Sequence, residues 1–273
     1  IHSMVAEANN HAPAQWEMST GFVRSGNPSV GSWVTYAMGS ETNNLPAFVV
    51  MKETDTPAGQ TAAWGPGFLP STFQGTVFQS DGDPILDLSP PAIYSEASQK
   101  ASFDFLRKLN EEHLRSRPED GELAARIASY ELAARMQLAA PETADLAGET
   151  AATRRLYGID RPDKRQAKFS RMCLLGRRLL ERGVRFVTLY CGGSTSTLNS
   201  WDGHRELAKN HRHMAPICDQ PVAALLTDLE SRGLLDDTLV VWTTEFGRTP
   251  TSEGRTDGRD HNIAGFTIWM AGG

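Results

Sequence analysis

Four short apolar runs rich in β-branched and aromatic residues, at 46–51, 184–190, 238–243 and 266–270, stand out from a largely polar background. Each is strand-sized and lacks strict alternation with polar residues, which predicts strands buried on both faces of a parallel sheet. Segments 96–114, 121–139, 164–182 and 221–232 carry apolar residues at spacings of three and four, with charges on the other side, as amphipathic helices do. The last two run through Gly183 and Gly233 and lead into the runs at 184 and 238. Helix, glycine stop and apolar strand is the αβ half of a βαβ unit, so the pattern predicts an α/β fold with a parallel sheet covered on both faces.

Two stretches depart from this rhythm. Residues 53–92 are dominated by Gly, Pro, Ser and Thr with scattered anchors such as Trp64, Phe68 and Phe78, which predicts a rim loop or lid. Residues 95–140, rich in Ala, Leu, Glu and Arg and interrupted at 116–120, read as a helical hairpin inserted into a single domain spanning 1–273. The chain begins at Ile1 and stops at Gly273 just after a strand-like run, so the domain is expected to be incomplete at both ends, an internal piece of a longer protein.

Composition narrows the classes. With 273 residues, 40% of them hydrophobic, the chain is globular, and no apolar run approaches the roughly 20 residues of a membrane span. A formal charge of −6 gives no overall basic field for nucleic acid. Three irregularly spaced cysteines, Cys173, Cys191 and Cys218, supply neither a disulfide framework nor a thiolate zinc site. The basic pairs Arg154-Arg155 and Arg177-Arg178 read as helix surface.

In open parallel sheets ligands bind beyond the carboxyl ends of the strands, so chemistry is sought in the residues just after each run. After 184–190 comes Trp201-Asp202-Gly203-His204; after 238–243 comes Thr244-Glu245-Phe246-Gly247-Arg248; and Gly258-Arg259-Asp260-His261 leads into the last run. Asp202, His204, Glu245, Asp260 and His261 are thus expected at one edge of the sheet. Carboxylates with imidazoles are the ligand set of a divalent metal such as zinc or manganese, and an aspartate-rich version suits calcium. Taken singly, each motif equally suits a turn, a helix cap or a salt bridge; their coincidence at consecutive strand ends makes the case. His113, His211 and His213 read as surface or rim histidines.

The run at 235–250, ending Thr-Glu245-Phe-Gly-Arg248-Thr-Pro, the later Gly-Arg-Asp-His261, the Trp-Asp-Gly-His204 motif and Pro28-Ser-Val-Gly-Ser-Trp33 together resemble the bacterial DUF1501 family over nearly the whole chain. That family in turn resembles the sulfatase and alkaline phosphatase superfamily, which implies a three-layer αβα domain with a mainly parallel sheet, a divalent metal and a small anionic ester as substrate. It also implies export, with a periplasmic or extracellular location. His11-Ala-Pro13-Ala-Gln15, followed by Thr20-Gly21, is similar in spacing to the sulfatase nucleophile motif, but His11 stands at the nucleophile's place and Gln15 at that of its activating arginine. Phe246 likewise occupies a ligand position.

The resemblance therefore implies a metal-dependent hydrolase of phosphate or sulfate esters. Asp202, His204, Glu245, Asp260 and His261 would be ligands, His11 a nucleophile, base or further ligand, and Arg248 or Arg259 the group neutralising the substrate anion. The departures at His11, Gln15 and Phe246 leave a second expectation, a non-catalytic exported binding or assembly protein with a degenerate site.

Overall fold

Two helices precede the first strand: α1 (His11–Thr20), capped by the Asn10 side chain and closed by Gly21 in the left-handed conformation, and α2 (Val30–Met38), capped by Ser29. The computed structural model describes residues 1–54, 56–82, 84, 85, 93, 95–193 and 200–273; parts of the expected rim loop at 53–92 and of the loop at 191–200 lie outside them. Then come β1 (Phe48–Lys52), β2 (Thr76–Phe78), α3 (Glu96–Ser116), α4 (Gly121–Ala144), α5 (Ala151–Tyr157), α6 (Lys164–Glu181), β3 (Phe186–Tyr190) and α7 (Leu207–Ser231). Four short strands close the chain: β4 (Val240–Trp242), β5 (Gly247–Arg248), β6 (His261–Asn262) and β7 (Trp269–Ala271).

Strands β2, β1 and β3 form a parallel sheet in that order, with Val50 aligned to Val77 on one side and to Thr188 on the other. Because strand side chains alternate, the two faces of β1 serve different cores. Val49 and Met51 pack with Met172, Leu175 and Leu179 of α6 and Met214 and Ile217 of α7. Phe48 and Val50 pack with Ala63 and Trp64 of a 3₁₀ turn at Gln60–Trp64, and Phe186 and Tyr190 of β3 join them. Val49, Val50 and Met51 have no exposed surface, and burying each contributes about 1.5–3 kcal/mol. Helices thus cover both faces, as the hydrophobic pattern predicts.

Pairing differs from expectation at the C-terminal runs. β4 and β7 are antiparallel and form a two-stranded sheet of their own, with Val241 opposite Met270. Apolar composition fixes that both runs are strands, but their direction is set by the chain between them, a β5–β6 hairpin that turns the chain back. The amphipathic helix expected at 221–232 begins earlier, at Leu207, and carries Pro216 and Pro221 inside it. β2 lies within the Gly- and Ser-rich stretch that predicts only loop. The helical hairpin at 95–140 is present as α3 and α4, and α4 sends Met136 and Ala140 into the main core. Cys173, Cys191 and Cys218 are free thiols. Among the described residues no helix is long and apolar enough to cross a membrane.

Arg177 is not surface. Its side chain is 3% exposed and ion-paired to Glu149 (2.9 Å), Glu181 (2.7 Å) and Asp228 (3.0 Å), while Arg178 takes the other Glu149 oxygen at 2.8 Å. Tyr157 donates its hydroxyl to Asp228, so one buried polar network ties α5, α6 and α7.

Gly31 marks where α2 meets the sheet. A Cβ there would lie 2.5 Å from Phe48 Cε1 and 2.8 Å from Phe186 Cδ1, and both rings sit in a closed core. Gly31→Ala is expected to lower stability by about 1–3 kcal/mol in chemical denaturation, because overlap in a packed core outweighs alanine's helix preference. A variant as stable as the parent would mean that α2 can lift off the sheet freely.

Candidate metal centre

The N-terminal segment runs beside the last strands: Met4 exchanges backbone hydrogen bonds with Phe266, and Ala6 N donates to Ile263 O at 2.9 Å. This places Asn9 and His11, the first residue of α1, against the β5–β6 hairpin, in which Arg248 stands opposite His261. A small core of Ala6, Ala14, Phe246, Phe266 and Ile268 supports the arrangement. From the other side, Gly258 and Arg259 pack onto the turn at Gly203-His204. Arg259 N donates to Gly203 O at 3.0 Å, and any Cβ on Gly258 would overlap the His204 carbonyl.

Three histidines meet here in one pattern. His11 Nδ1 lies 2.5 Å from Glu245 Oε1, His204 Nδ1 2.7 Å from Glu253 Oε2, and His261 Nδ1 2.7 Å from the Asn9 carbonyl. Each partner accepts, so each Nδ1 donates and its Nε2 is the atom left to bind something else. All three Nε2 atoms converge on Asp202. His204 Nε2 is 2.9 Å and His261 Nε2 3.2 Å from Oδ1, and His11 Nε2 is 3.2 Å from Oδ2. His204 Nε2 and His261 Nε2 stand 3.1 Å apart.

This geometry fits a cation. With both Nδ1 atoms donating, the facing Nε2 atoms of His204 and His261 beside a carboxylate call for positive charge among them, either a bound cation or a proton on one ring. His11 Nε2 is buried against Asp202 Oδ2 at 3.2 Å. Imidazoles whose far nitrogens are fixed by carboxylate or carbonyl are the usual outer arrangement of metal-binding histidines. His11, Asp202 and His261 bring three ligating atoms within 4.8 Å of one another, and so do His204, Glu253 and Asp260.

Electrostatics concentrate on Asp202. Burial pushes its carboxyl up, but hydrogen bonding with His11, Arg248 and His261 outweighs burial and holds it far below the usual carboxylate range. The Asp202 and Glu245 carboxylates raise His11 to about 9 against the effect of burial.

All eight residues singled out in the sequence come to this region, in roles that sort by contact. Asp202, His204 and His261 form its centre. Glu245 holds His11. Asp260 is exposed, and one of its oxygens accepts from the His261 backbone at 2.7 Å. Arg248 donates to Asp202 and to the Arg259 carbonyl. Arg259 itself donates only to neutral oxygens, of Ser252 and Gly258, among the described residues. Phe246 is a packing plate, with His11 stacked on it at 5.1 Å between ring centroids and His261 at 4.4 Å. Gln15 Oε1 accepts from Gly59 N, fastening α1 to the 3₁₀ turn.

Sequence reasoning missed Glu253 and the Asn9 carbonyl. Both lie in polar stretches without a motif, and only the folded chain brings Glu253 to His204. Glu253→Gln is expected to weaken zinc binding roughly 10–100-fold in competition titrations, the usual cost of removing an outer partner. Unchanged affinity would show that His204 is oriented without it.

Fold and site together define a mixed α/β protein with a candidate histidine–carboxylate metal centre. Over its full length, residues 1–273, the chain matches the family described as protein of unknown function (DUF1501), and it belongs to that family. No curated protein and no solved structure matches it.

Proposed function

We propose that this chain is the core of a metal-dependent hydrolase of phosphate or sulfate esters, on an αβα fold of the alkaline-phosphatase kind, in an exported protein. The observation that carries the proposal is the convergence of three Nε2 atoms on Asp202, each imidazole fixed from behind. Asp202, His204 and His261 would hold the ion, and a set of nitrogen with carboxylate oxygen suits zinc or manganese better than calcium, which prefers oxygen alone. A divalent cation there supplies Lewis-acid stabilisation of charge on the transferring group.

The remaining residues divide the work of binding and proton transfer. His11, on the second Asp202 oxygen and oriented by Glu245, is placed to move a proton at Nε2, its ring fixed from behind by a carboxylate. Arg259, whose guanidinium has only neutral partners among the described residues, is the group to neutralise an ester anion. Arg248 is committed to Asp202. Its tie satisfies the central carboxylate without any ion, which is the observation favouring the alternative of a non-catalytic binding protein.

Metal analysis of the full chain, followed by a screen against aryl phosphate and aryl sulfate, separates the two. Turnover lost in His11→Ala with metal retained places His11 in the chemistry; metal lost with it makes His11 a ligand. Absence of both bound metal and turnover would sink the enzyme assignment.

A further inference from the structure

A second polar site lies at the carboxyl ends of β1 and β2, apart from the histidine cluster. Glu53 and Thr54 directly follow β1 and Asp81 lies just beyond β2, and together with the first turns of α6 they border an open cavity of about 590 Å³. Its wall carries five cations, Arg161, Lys164, Arg165, Lys168 and Arg171, against three carboxylates. The carboxylates are already taken. Glu53 is fully buried and bound at both oxygens by Arg165, at 2.6 and 2.7 Å; Asp81 pairs with Arg171; and Asp160 pairs with Arg154, outside the cavity.

What remains among the described residues is positive. Lys164 and Lys168, one helical turn apart on the same face of α6, have no ion-pair or hydrogen-bond partner among the described residues. Arg161, on the same wall, donates only to neutral oxygens, of Gln166, Pro216 and Gln220, among the described residues. Cations that no described carboxylate compensates favour a ligand that carries negative charge. An oxyanion supplies several acceptor oxygens and negative charge at once. The carboxyl edge of a parallel sheet is also where such folds place their ligands.

We propose that this cavity is an oxyanion-binding site for a phosphorylated or sulfated small molecule. Lys164, Lys168 and Arg161 provide the charge. The volume exceeds what inorganic phosphate fills, which favours an organic ester over the free ion. The site is independent of the metal centre and of the activity proposed for it.

Calorimetric titration of chelator-treated protein tests this, with inorganic phosphate, inorganic sulfate and a hexose phosphate as probes, each against chloride at equal ionic strength. Binding is expected for the oxyanions, weakened at least tenfold in the Lys164→Gln/Lys168→Gln double variant and unchanged in Arg259→Gln, which removes the group assigned to the ester anion at the metal centre. Tighter binding of the hexose phosphate than of phosphate assigns the cavity to an organic ester, whereas equal binding assigns it to the free oxyanion. No binding above the chloride control, an unaffected double variant, or loss of binding in Arg259→Gln would each overturn the proposal.

Discussion

Asp202→Ala is expected to abolish tight metal binding, raising the Kd for zinc by more than the ~100-fold that removing a mere outer partner costs. Asp202 is the one group touched by all three imidazoles and by Arg248, so its loss removes a ligand and the charge that gathers the others. The three Nε2 atoms and Arg248 then face one another without the carboxylate between them, and the imidazoles spread apart. Zinc titration by calorimetry reads the change. Retention of the parental affinity in Asp202→Ala, with the fold intact by circular dichroism, would show that the convergence on Asp202 is a hydrogen-bonded knot and not a metal site.

The largest stability effect is expected at Arg177→Ala, about 3 kcal/mol by chemical denaturation, the lower end of the cost of breaking a buried ion pair because Arg178 and Arg232 remain on its partners. Glu149 and Asp228 are 8% and 7% exposed and would each lose an arginine inside the protein. The effect depends on pH with a definite sign. Burial pushes the Glu149 carboxyl up, but hydrogen bonds from Arg178 and Arg177 outweigh it and hold it below its ordinary value. Its contribution is therefore complete above the ordinary carboxylate range and is lost as pH falls through the lowered folded value. The gap between parent and variant should be widest near neutrality and close in acid. A loss under about 1 kcal/mol, the level of an exposed ion pair, would contradict the burial of this network.

Arg177 also shows what a linear sequence hides. Its place in a charged helix predicts surface, because the carboxylates that make burial tolerable arrive from Glu149 and Asp228, 28 residues before it and 51 after it. By contrast α6, β1 and β3 are legible, since helical periodicity and dense apolar runs are local signals. Strand direction is not local, and so β4 and β7 read as parallel but pair antiparallel. α1 has almost no amphipathic signal, being held by its Asn10 cap and by tertiary contacts of Gln15 and Trp16 with Gly59.

The site divides in the same way. Asp202, His204, Glu245 and His261 stand beside apolar runs in short motifs, which is why their meeting is legible. Their roles are not, because ligand and buttress differ only by which nitrogen or oxygen faces inward. Glu245 reads as a ligand and sits behind His11; Phe246 reads as a lost ligand and packs two rings. Glu253 has no motif at all.

Metal content decides the central claim most directly. The full chain, stripped with chelator, incubated separately with zinc, manganese and calcium and then freed of unbound ion, is to be analysed by elemental mass spectrometry. A metal centre on Asp202 predicts about one equivalent of zinc or manganese per chain, little calcium, and loss of the retained metal in Asp202→Ala. A chain that retains none of the three ions, or retains them equally with and without Asp202, would contradict it.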